Sequence, residues 1–306
     1  MLTLRESVLT TIAYADVFDY PLTAREVHLW LIYRSADVSR IIKELQAITD
    51  GGGDGLYVLS GRKLLAKKRA INRRTADHKW RVARQAVGWI RRIPTISLIG
   101  VTGGLAMNNA SAADDIDLFF IVRDHTLWIS RFLITLTVEI CGRRRHPDQK
   151  NISDAICLNM FMTESALEVI DNQQDLYGAH EVLQMIPLWE RGDIYRRFLD
   201  ANKWVRHFLP NAWSNKQAAV QRVQYSSRPT IFMDWSIIIK LCSLLERYAR
   251  ASQIWYMQKR RTREVVTLNL IQFHPQDARR NLRRKLLKRL KQFKIPLDKV
   301  FPGCIK

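Results

Sequence analysis

Cysteine is scarce in this sequence, and the few that occur are far apart. The four cysteines are Cys141, Cys157, Cys242 and Cys304 among 306 residues, and none of them forms the close pairs that zinc sites and redox motifs use. Most of them stand in apolar runs, which favours reduced thiols in a protein core over disulfides. We therefore expect neither a disulfide scaffold nor a zinc-cluster protein.

Apolar runs long enough for a membrane helix are also lacking. The longest runs, 127–141 and 235–245, are interrupted by Arg131 and Lys240, whereas a membrane-spanning helix needs about 20 apolar residues. The first twenty residues carry acids and no cleavage-type segment, so they do not resemble a signal peptide. We expect no membrane span and a cytoplasmic protein.

Acidic residues are few for the number of basic ones. The 29 acids stand against 49 lysines and arginines, which gives a net charge of +20. This surplus favours an anionic partner, nucleic acid before a membrane surface, and a basic surface that serves solubility is the alternative. A hydrophobic content of 47% with 9% aromatic residues is typical of a globular protein. The length favours two or three domains.

Residues 96–122 are the one stretch in which the spacing of the residues indicates a ligand-binding or catalytic site. An apolar run is followed by Gly103 and Gly104, and after a stretch of mainly small and polar residues Asp115 and Asp117 open a second apolar run. The pattern predicts a strand, a turn, a short helix and a second strand.

The two acids of this stretch are predicted to face the same ligand. Side chains alternate along a strand, so Asp115 and Asp117 share a face about 7 Å apart, while Asp114 points the other way and is typical of a turn. Paired carboxylates repel each other unless a cation lies between them, and Mg²⁺ takes one or two carboxylates together with substrate phosphates. Gly103 and Gly104 allow close approach of the backbone to a phosphate. The sequence therefore predicts a site for Mg²⁺ and a nucleoside triphosphate.

This motif resembles the signature of the polymerase-beta-like nucleotidyltransferase superfamily, which is Gly-[Gly/Ser], a short spacer and Asp-x-Asp on a strand. The match consists of Gly103, Gly104, the spacer 105–114 and the acids Asp115 and Asp117. The resemblance covers residues 96–165 and implies transfer of a nucleoside monophosphate from an NTP, ATP being the expected one, to a hydroxyl of a nucleic acid or another acceptor. It also implies that Asp115 and Asp117 are catalytic and bind Mg²⁺. The alternative is a surface glycine turn followed by an acidic strand entry.

Members of this superfamily usually carry a third acid on a later strand, and here the sequence departs from the pattern. A strand is predicted over 155–162, and Asn159 is the polar residue that it offers. An amide oxygen can coordinate Mg²⁺ or hold a hydroxyl, but it is no general base at neutral pH. Asp154 and Glu164 stand at the strand ends and would substitute only if the strand were displaced. This departure supports a second hypothesis, in which the protein is a weakly active or inactive nucleotidyltransferase-fold protein that binds DNA or RNA. A third hypothesis is a module that modifies another protein.

A run of arginines follows the apolar helix predicted over 127–141. Gly142 ends that helix, and Arg143 leads the run Arg143, Arg144 and Arg145. Arg143 is taken as a candidate for binding the nucleotide, and the alternative is that these arginines satisfy the helix C-terminus.

The first 62 residues resemble a winged helix-turn-helix domain. Three short helices are predicted, and the third occupies the position of a recognition helix. That helix offers Arg40 and Lys43 but also Glu44, so a small helical domain that packs on the enzyme or dimerises is the alternative. The predicted elements are helices over 5–20, 23–31 and 38–45, a glycine-rich turn over 51–55 and a strand over 56–59.

Two segments of nearly unopposed positive charge are predicted to be basic helices. Residues 62–92 contain twelve lysines and arginines and a single acid, Asp77. Residues 279–294 combine a basic face with a stripe of leucines. Such helices suit a nucleic-acid backbone, and a solvated face or an acidic partner is the alternative. The candidate nucleic-acid-binding residues are Arg73, Arg74, Arg283, Arg284, Lys288 and Arg289.

The remaining chain is predicted to be helical. Helices are expected over 174–189 and 193–207, followed by a polar linker over 210–229. His180, next to Glu181, could contact a nucleotide, but a histidine on an apolar helix face is more often packed than catalytic. A long helix over 235–259 carries an apolar stripe typical of a helical-bundle core. The stripe consists of Leu241, Leu244, Leu245, Tyr248 and Trp255.

Together these patterns predict an α+β protein. Its parts are a winged-helix-like domain over 1–62, a basic connecting helix over 63–94, a nucleotidyltransferase-like domain with a small mixed sheet over 95–170, and a helical C-terminal region over 171–306.

Overall fold

The computed structural model of the protein describes residues 1–48, 55–146, 149–222, 236–258, 265–272 and 275–301. These residues form twelve α-helices and eight strands, and the strands form a six-stranded mixed sheet and a separate two-stranded sheet. The predicted α+β fold class is confirmed. The described helices include none with the length and hydropathy of a membrane-crossing segment.

Three helices and the two-stranded sheet share one apolar core near the N-terminus. Thr3 and Thr23 each begin a helix with a capping box, in which the threonine side chain and a glutamate three residues later exchange hydrogen bonds with backbone N–H groups. Part of the predicted glycine-rich turn, 51–54, lies outside the described residues. The elements are α1 (Leu4–Val17), β1 (Leu22–Thr23), α2 (Ala24–Leu29), α3 (Val38–Ile48) and β2 (Leu56–Tyr57), with β1 antiparallel to β2.

The predicted basic helix is a single helix of 26 residues, α4 (Leu65–Ile90). One side of α4 packs on the central sheet through Trp80, Ala83 and Ile90. Its other side exposes lysines and arginines. Lys79 is an exception, because its side chain is fully buried.

The central sheet is built around the stretch with the paired acids. The predicted strand, turn, short helix and strand are present as β3 (Ile96–Val101), α5 (Gly103–Ala106) and β4 (Ile116–Val122). Next follow α6 (Leu127–Ile140) and β5 (Ile156–Thr163), which lies parallel to β4. A crossover helix is what a parallel pair requires.

The C-terminal region is not purely helical, so that prediction is wrong. It supplies three strands to the central sheet, which has the order β6-β3-β4-β5-β8-β7. The helix predicted over 174–189 ends early because Pro187 cannot continue it and because the free edge of β3 pairs with the residues that follow. The new elements are α7 (Leu176–Gln184), β6 (Ile186–Glu190), β7 (Val265–Val266) and β8 (Leu270–Gln272).

Helices cover both faces of this sheet. One face packs against α4 and α6, and the other packs against α1, α7 and most of the helices that follow α7. The polar stretch 210–229 begins as a helix rather than a linker, and Pro210 suits its first position. Residues 223–229 lie outside the described part. The remaining helices are the 3₁₀ helices Asp171–Gln173 and Lys203–His207, α8 (Ile194–Ala201), α9 (Pro210–Arg222), α10 (Ser236–Gln258), α11 (Pro275–Gln292) and α12 (Leu297–Val300).

The apolar stripe of α10 is exposed among the described residues, so its prediction as a bundle core is wrong. Leu241 is 55% exposed and Leu244 is 70% exposed. The helix instead contacts α6 with its other side. There Glu246 accepts the backbone N–H groups of Trp128 and Ile129 at 2.8 and 2.9 Å, which caps α6.

The cysteines are only partly core residues. Cys242 is buried and Cys157 is half-buried, but Cys141 is exposed, because it lies at the end of α6 where that helix leaves the sheet. Cys304 lies outside the described residues.

Candidate metal and nucleotide site

Asp115, Asp117 and Cys157 converge at one end of the central sheet. Their carboxylate oxygens and Sγ atom all lie within 4.8 Å of one another. Asp117 is the second residue of β4 and is directly opposite Cys157 on the parallel strand β5. Asp115 precedes the strand, so its side chain is not held at the spacing of a strand and approaches Asp117 more closely than that spacing predicts.

Gly103 is in direct contact with this cluster. Its φ is +66°, a conformation that L side chains rarely adopt, and a Cβ added there would lie 2.6 Å from Asp117 Oδ2. The neighbouring Thr102 donates its backbone N–H to the Asp117 carbonyl at 3.1 Å. Gly104 is exposed, and a Cβ there would meet only ordinary van der Waals contacts, from 3.6 Å outward. Of the two predicted glycines, Gly103 is therefore the one that the carboxylate requires.

The pKa values of two groups in the cluster, Asp117 and Cys157, are raised. Burial raises the pKa of Asp117 to about 7, and the neighbouring Asp115 carboxylate adds to the rise. Burial, with both carboxylates, also raises the pKa of the Cys157 thiol well above its ordinary value, so the thiol stays protonated. Arg145 opposes this charge by donating to Asp115 Oδ2, and it lies 3.6 Å from Cys157 Sγ.

Arg145, rather than Arg143, is the arginine that contacts the acids. The Arg143 side chain is exposed, and its carbonyl accepts the backbone N–H of Ile156 at 2.6 Å. Arg144 pairs with Glu139 near the end of α6. The candidate chosen from the arginine run thus lies two residues from the one that the structure brings to the cluster.

Asn159 lines the same cavity as Asp115 and Asp117, which we call the acidic cavity. It encloses about 280 Å³. Asn159 stands where the pairing of β4 with β5 shifts, since Leu118 pairs with Leu158 and Phe119 pairs with Met160. The three residues predicted to be catalytic therefore share one cavity, and among the described residues the metal-ligand cluster contains a thiol and no third carboxylate.

The two acids considered as substitutes for a third carboxylate are engaged elsewhere. Asp154 pairs with the buried Lys79 at 2.9 Å and with His78 at 3.2 Å. Glu164 binds Ser97 and Arg197. Lys79 belongs to the segment predicted to have a cationic face, but it donates to the Asp114 carbonyl at 2.6 Å and so holds the loop that leads to Asp115.

No family model, curated protein or solved structure matches this chain.

The walls of the acidic cavity contain two groups that the sequence pattern did not indicate, Tyr177 and Arg279, and a third, Glu181, that it indicated only as the neighbour of His180. Tyr177 and Glu181 come from α7, and Arg279 comes from α11. Burial raises the pKa of Glu181 to about 7, while Arg279 and a hydrogen bond from Tyr177 act in the opposite direction. Arg279 also pairs with Asp175 and lies 5.0 Å from the Tyr177 ring centroid. The acid beside His180 was a signal for Glu181, but the pattern gave none for Arg279.

The cluster offers two carboxylates, which are hard oxygen donors of the kind that Mg²⁺ prefers. The protonated thiol of Cys157 is a soft donor and is not a ligand that Mg²⁺ prefers. Asp114 stays outside the cluster, since its carboxylate accepts the Ser111 N–H at 2.8 Å in a local turn.

The six residues predicted to bind nucleic acid fall into two groups. Arg73 and Arg74 on α4, and Arg284 and Lys288 on α11, are exposed. The other two make contacts within the protein: Arg289 donates to the nearly buried Asp16 at 2.6 Å, and Arg283 lies 5.6 Å from the Phe301 ring centroid.

Proposed function

We propose that the protein is a Mg²⁺-dependent nucleotidyltransferase that transfers a nucleoside monophosphate from an NTP, ATP first, to a hydroxyl group. The observation that carries this proposal is the convergence of Asp115 and Asp117 on one point, with the backbone of Gly103 packed against Asp117. Carboxylates in this arrangement are stabilised by a divalent cation, and the adjoining cavity has room for phosphates.

Each charged group at the site has a role in this proposal. Asp115 and Asp117 would hold Mg²⁺, which supplies neutralisation of the phosphate charge. Arg145 and Arg279 line the same cavity and would bind phosphate oxygens, as guanidinium groups commonly do. Arg145 would exchange its contact with Asp115 for one with the substrate.

Glu181 is the group that we assign to the proton of the attacking hydroxyl. It lines the acidic cavity, and its pKa of about 7 suits a general base at neutral pH. Asn159 offers an amide that can orient the hydroxyl but cannot take its proton.

Calorimetry of Mg²⁺·ATP with matched variants tests the metal site. We expect Asp117→Asn to abolish Mg²⁺-dependent ATP binding and Asn159→Asp to strengthen it, because the first removes a ligand and the second adds one. Asp77→Asn, which changes an exposed acid on α4, is the control. Equal affinity for wild type, Asp117→Asn and Asn159→Asp would remove these residues from the site and overturn the proposal.

Incubation with labelled NTPs, Mg²⁺ and bulk RNA tests turnover. Incorporation of label or release of pyrophosphate supports the proposed activity. Glu181→Gln should then lower the rate of incorporation and abolish the increase of that rate with pH near neutrality.

A second candidate is a nucleotidyltransferase-fold protein that binds DNA or RNA without turnover. It is favoured by Asn159 in place of a third acid and by the exposed arginines of α4. Salt-sensitive RNA binding without incorporation in the same incubation would support this candidate.

A further inference from the structure

A second cavity lies behind the Gly103 turn, between the N-terminal helices and α7. It encloses about 290 Å³, and its lining is more apolar than polar. Gly103 and Gly104 form part of its wall, and Tyr177 and Glu181 line both this cavity and the acidic cavity. We call it the aromatic cavity after the rings in its wall, which are those of Tyr14, Phe18, Tyr20, Trp30, Tyr177 and His180.

His180 lines this cavity and carries an unused hydrogen-bond donor, which the neighbouring side chains cover. The residue is only 3% exposed, and burial lowers its pKa to about 3, so the ring is neutral. Its Nδ1 atom lies 3.0 Å from the Gln184 side-chain nitrogen, which can only donate, and so Nε2 carries the proton of the neutral ring. Nε2 is buried and has no hydrogen-bond partner, and such a group costs stability unless something accepts from it.

The rings beside His180 pack closely against it. The Tyr14 ring stacks on the His180 ring with centroids 3.9 Å apart and planes 13° apart. The Trp30 ring centroid lies 5.5 Å from that of His180. Aromatic walls of this kind bind planar rings by stacking and are common where proteins hold nucleobases.

We propose that the aromatic cavity binds an uncharged planar heteroaromatic ring, of about the size of a nucleobase, that accepts a hydrogen bond from His180 Nε2. The mainly apolar lining favours an uncharged ring over an ion. Two sources share this chemistry: the base of the NTP, which rests on the proposed function, and an aromatic ring of a separate acceptor, which does not. The shared wall at Tyr177 and Glu181 connects the ring to the site in both cases.

Calorimetric titration with adenosine in the absence of Mg²⁺ tests the cavity. His180→Phe keeps a ring for stacking and removes the donor, so affinity should fall about five- to tenfold. Met107→Trp fills part of the cavity and should abolish binding. His207→Phe makes the same chemical change at an exposed histidine that does not line the cavity, and it should leave affinity unchanged. Circular dichroism and thermal unfolding establish that each variant is folded.

Further titrations separate this proposal from the proposed function. Asp117→Asn should bind adenosine as the wild type does, even if Mg²⁺·ATP binding proves to lie elsewhere. Displacement of adenosine by Mg²⁺·ATP assigns the ring to the NTP, and simultaneous binding assigns it to a second substrate. If the wild type binds none of adenosine, guanosine, cytidine and indole, or binds them as tightly after both His180→Phe and Met107→Trp, the proposal is overturned.

Discussion

Gly103 and Gly104 are adjacent in the sequence, yet only one of them touches a carboxylate. A side chain at Gly103 would adopt an unfavourable backbone conformation and collide with Asp117 Oδ2, whereas one at Gly104 would meet ordinary contacts. This difference makes the two positions a matched pair for mutation.

Gly103→Ala should destabilise the protein by roughly 1 to 3 kcal/mol, the range expected for a residue forced into a rarely populated backbone conformation. It should also weaken Mg²⁺·ATP binding, because the Asp117 carboxylate must move. Gly104→Ala is the control and should change neither property appreciably. Thermal unfolding and calorimetry measure both effects, and equal behaviour of the two variants would contradict the role given to Gly103.

Glu181 links stability to pH. Its pKa is near 7 in the folded protein and near 4.5 in the unfolded chain, so the folded state retains the proton over this interval and the unfolded state releases it. The contribution of Glu181 to stability is therefore complete below pH 4.5 and is lost as the pH rises to 7.

Glu181→Gln should remove this loss, because glutamine does not titrate and can still accept from Tyr177. The variant should exceed the wild type in free energy of unfolding by roughly 1 to 3 kcal/mol at pH 7.5, and by much less at pH 4.5. Denaturant titrations at the two pH values give the difference. A difference that does not change with pH would show that Glu181 has an ordinary pKa.

Local patterns predicted the acids of the site but not the partners that lie far along the chain. Gly103 begins α5, Asp117 lies in β4 and Asp115 directly precedes that strand, so all three fall in one short stretch whose pattern is readable from the sequence. Whether Arg143 or Arg145 reaches Asp115 depends on how the chain after α6 pairs with β5. Glu181 and Arg279 reach the cavity only through the packing of α7 and α11, which residue spacing does not encode.

At the scale of elements, α4 and α11 each carry both exposed and ion-paired basic residues. Arg73 and Arg74 are exposed on α4. On α11, Arg289 is bound to Asp16, which is only 5% exposed. Positive charge along a helix therefore does not by itself identify the residues available to a polyanion.

Arg73→Gln with Arg74→Gln should weaken RNA binding for all sequences alike and lower its dependence on salt, by up to about one logarithmic slope unit for each phosphate that is no longer neutralised. Arg289→Gln should instead lower the free energy of unfolding by roughly 1 to 3 kcal/mol, since it removes a charged partner from Asp16. Filter binding at several salt concentrations and thermal unfolding distinguish the two effects. Weaker RNA binding with unchanged stability in Arg289→Gln would reverse this assignment.

The stripe on α10 illustrates what periodicity leaves open. Helical spacing shows that Leu241, Leu244 and Leu245 share a face, but it does not show whether another element covers that face. In the described residues α10 meets α6 through Glu246 and Gln253 on its opposite side. The same spacing on α11 leads to burial, because Leu282, Leu286 and Leu290 are in the core beside α1.

Leucine-to-alanine substitutions at these two stripes should differ sharply. Leu286→Ala removes a fully buried side chain and should cost about 2 to 5 kcal/mol. Leu244→Ala should change the free energy of unfolding by less than about 0.5 kcal/mol, because the residue is exposed. Chemical denaturation of the two variants provides the measurement, and a large decrease in stability for Leu244→Ala would mean that this face is covered.

At the scale of the whole molecule, the sheet joins segments that are far apart in the sequence. Its three inner strands, β3, β4 and β5, follow one another closely and were predicted from the sequence. Their outer neighbours, β6 and β8, come from the region predicted to be helical. Short outer strands such as Ile186–Glu190 gain their conformation from an available sheet edge, which local propensity does not reveal.

This topology sets an order of events during synthesis. Thr163 ends β5, and Leu270, which begins β8, follows about 100 residues later. At about 5 to 20 residues per second, the ribosome needs on the order of 5 to 20 seconds to make that interval. Throughout that time the outer edge of β5 has no strand to pair with, and an unpaired edge readily joins other chains. The speed of translation between these two strands therefore determines how long each new chain is exposed to its neighbours.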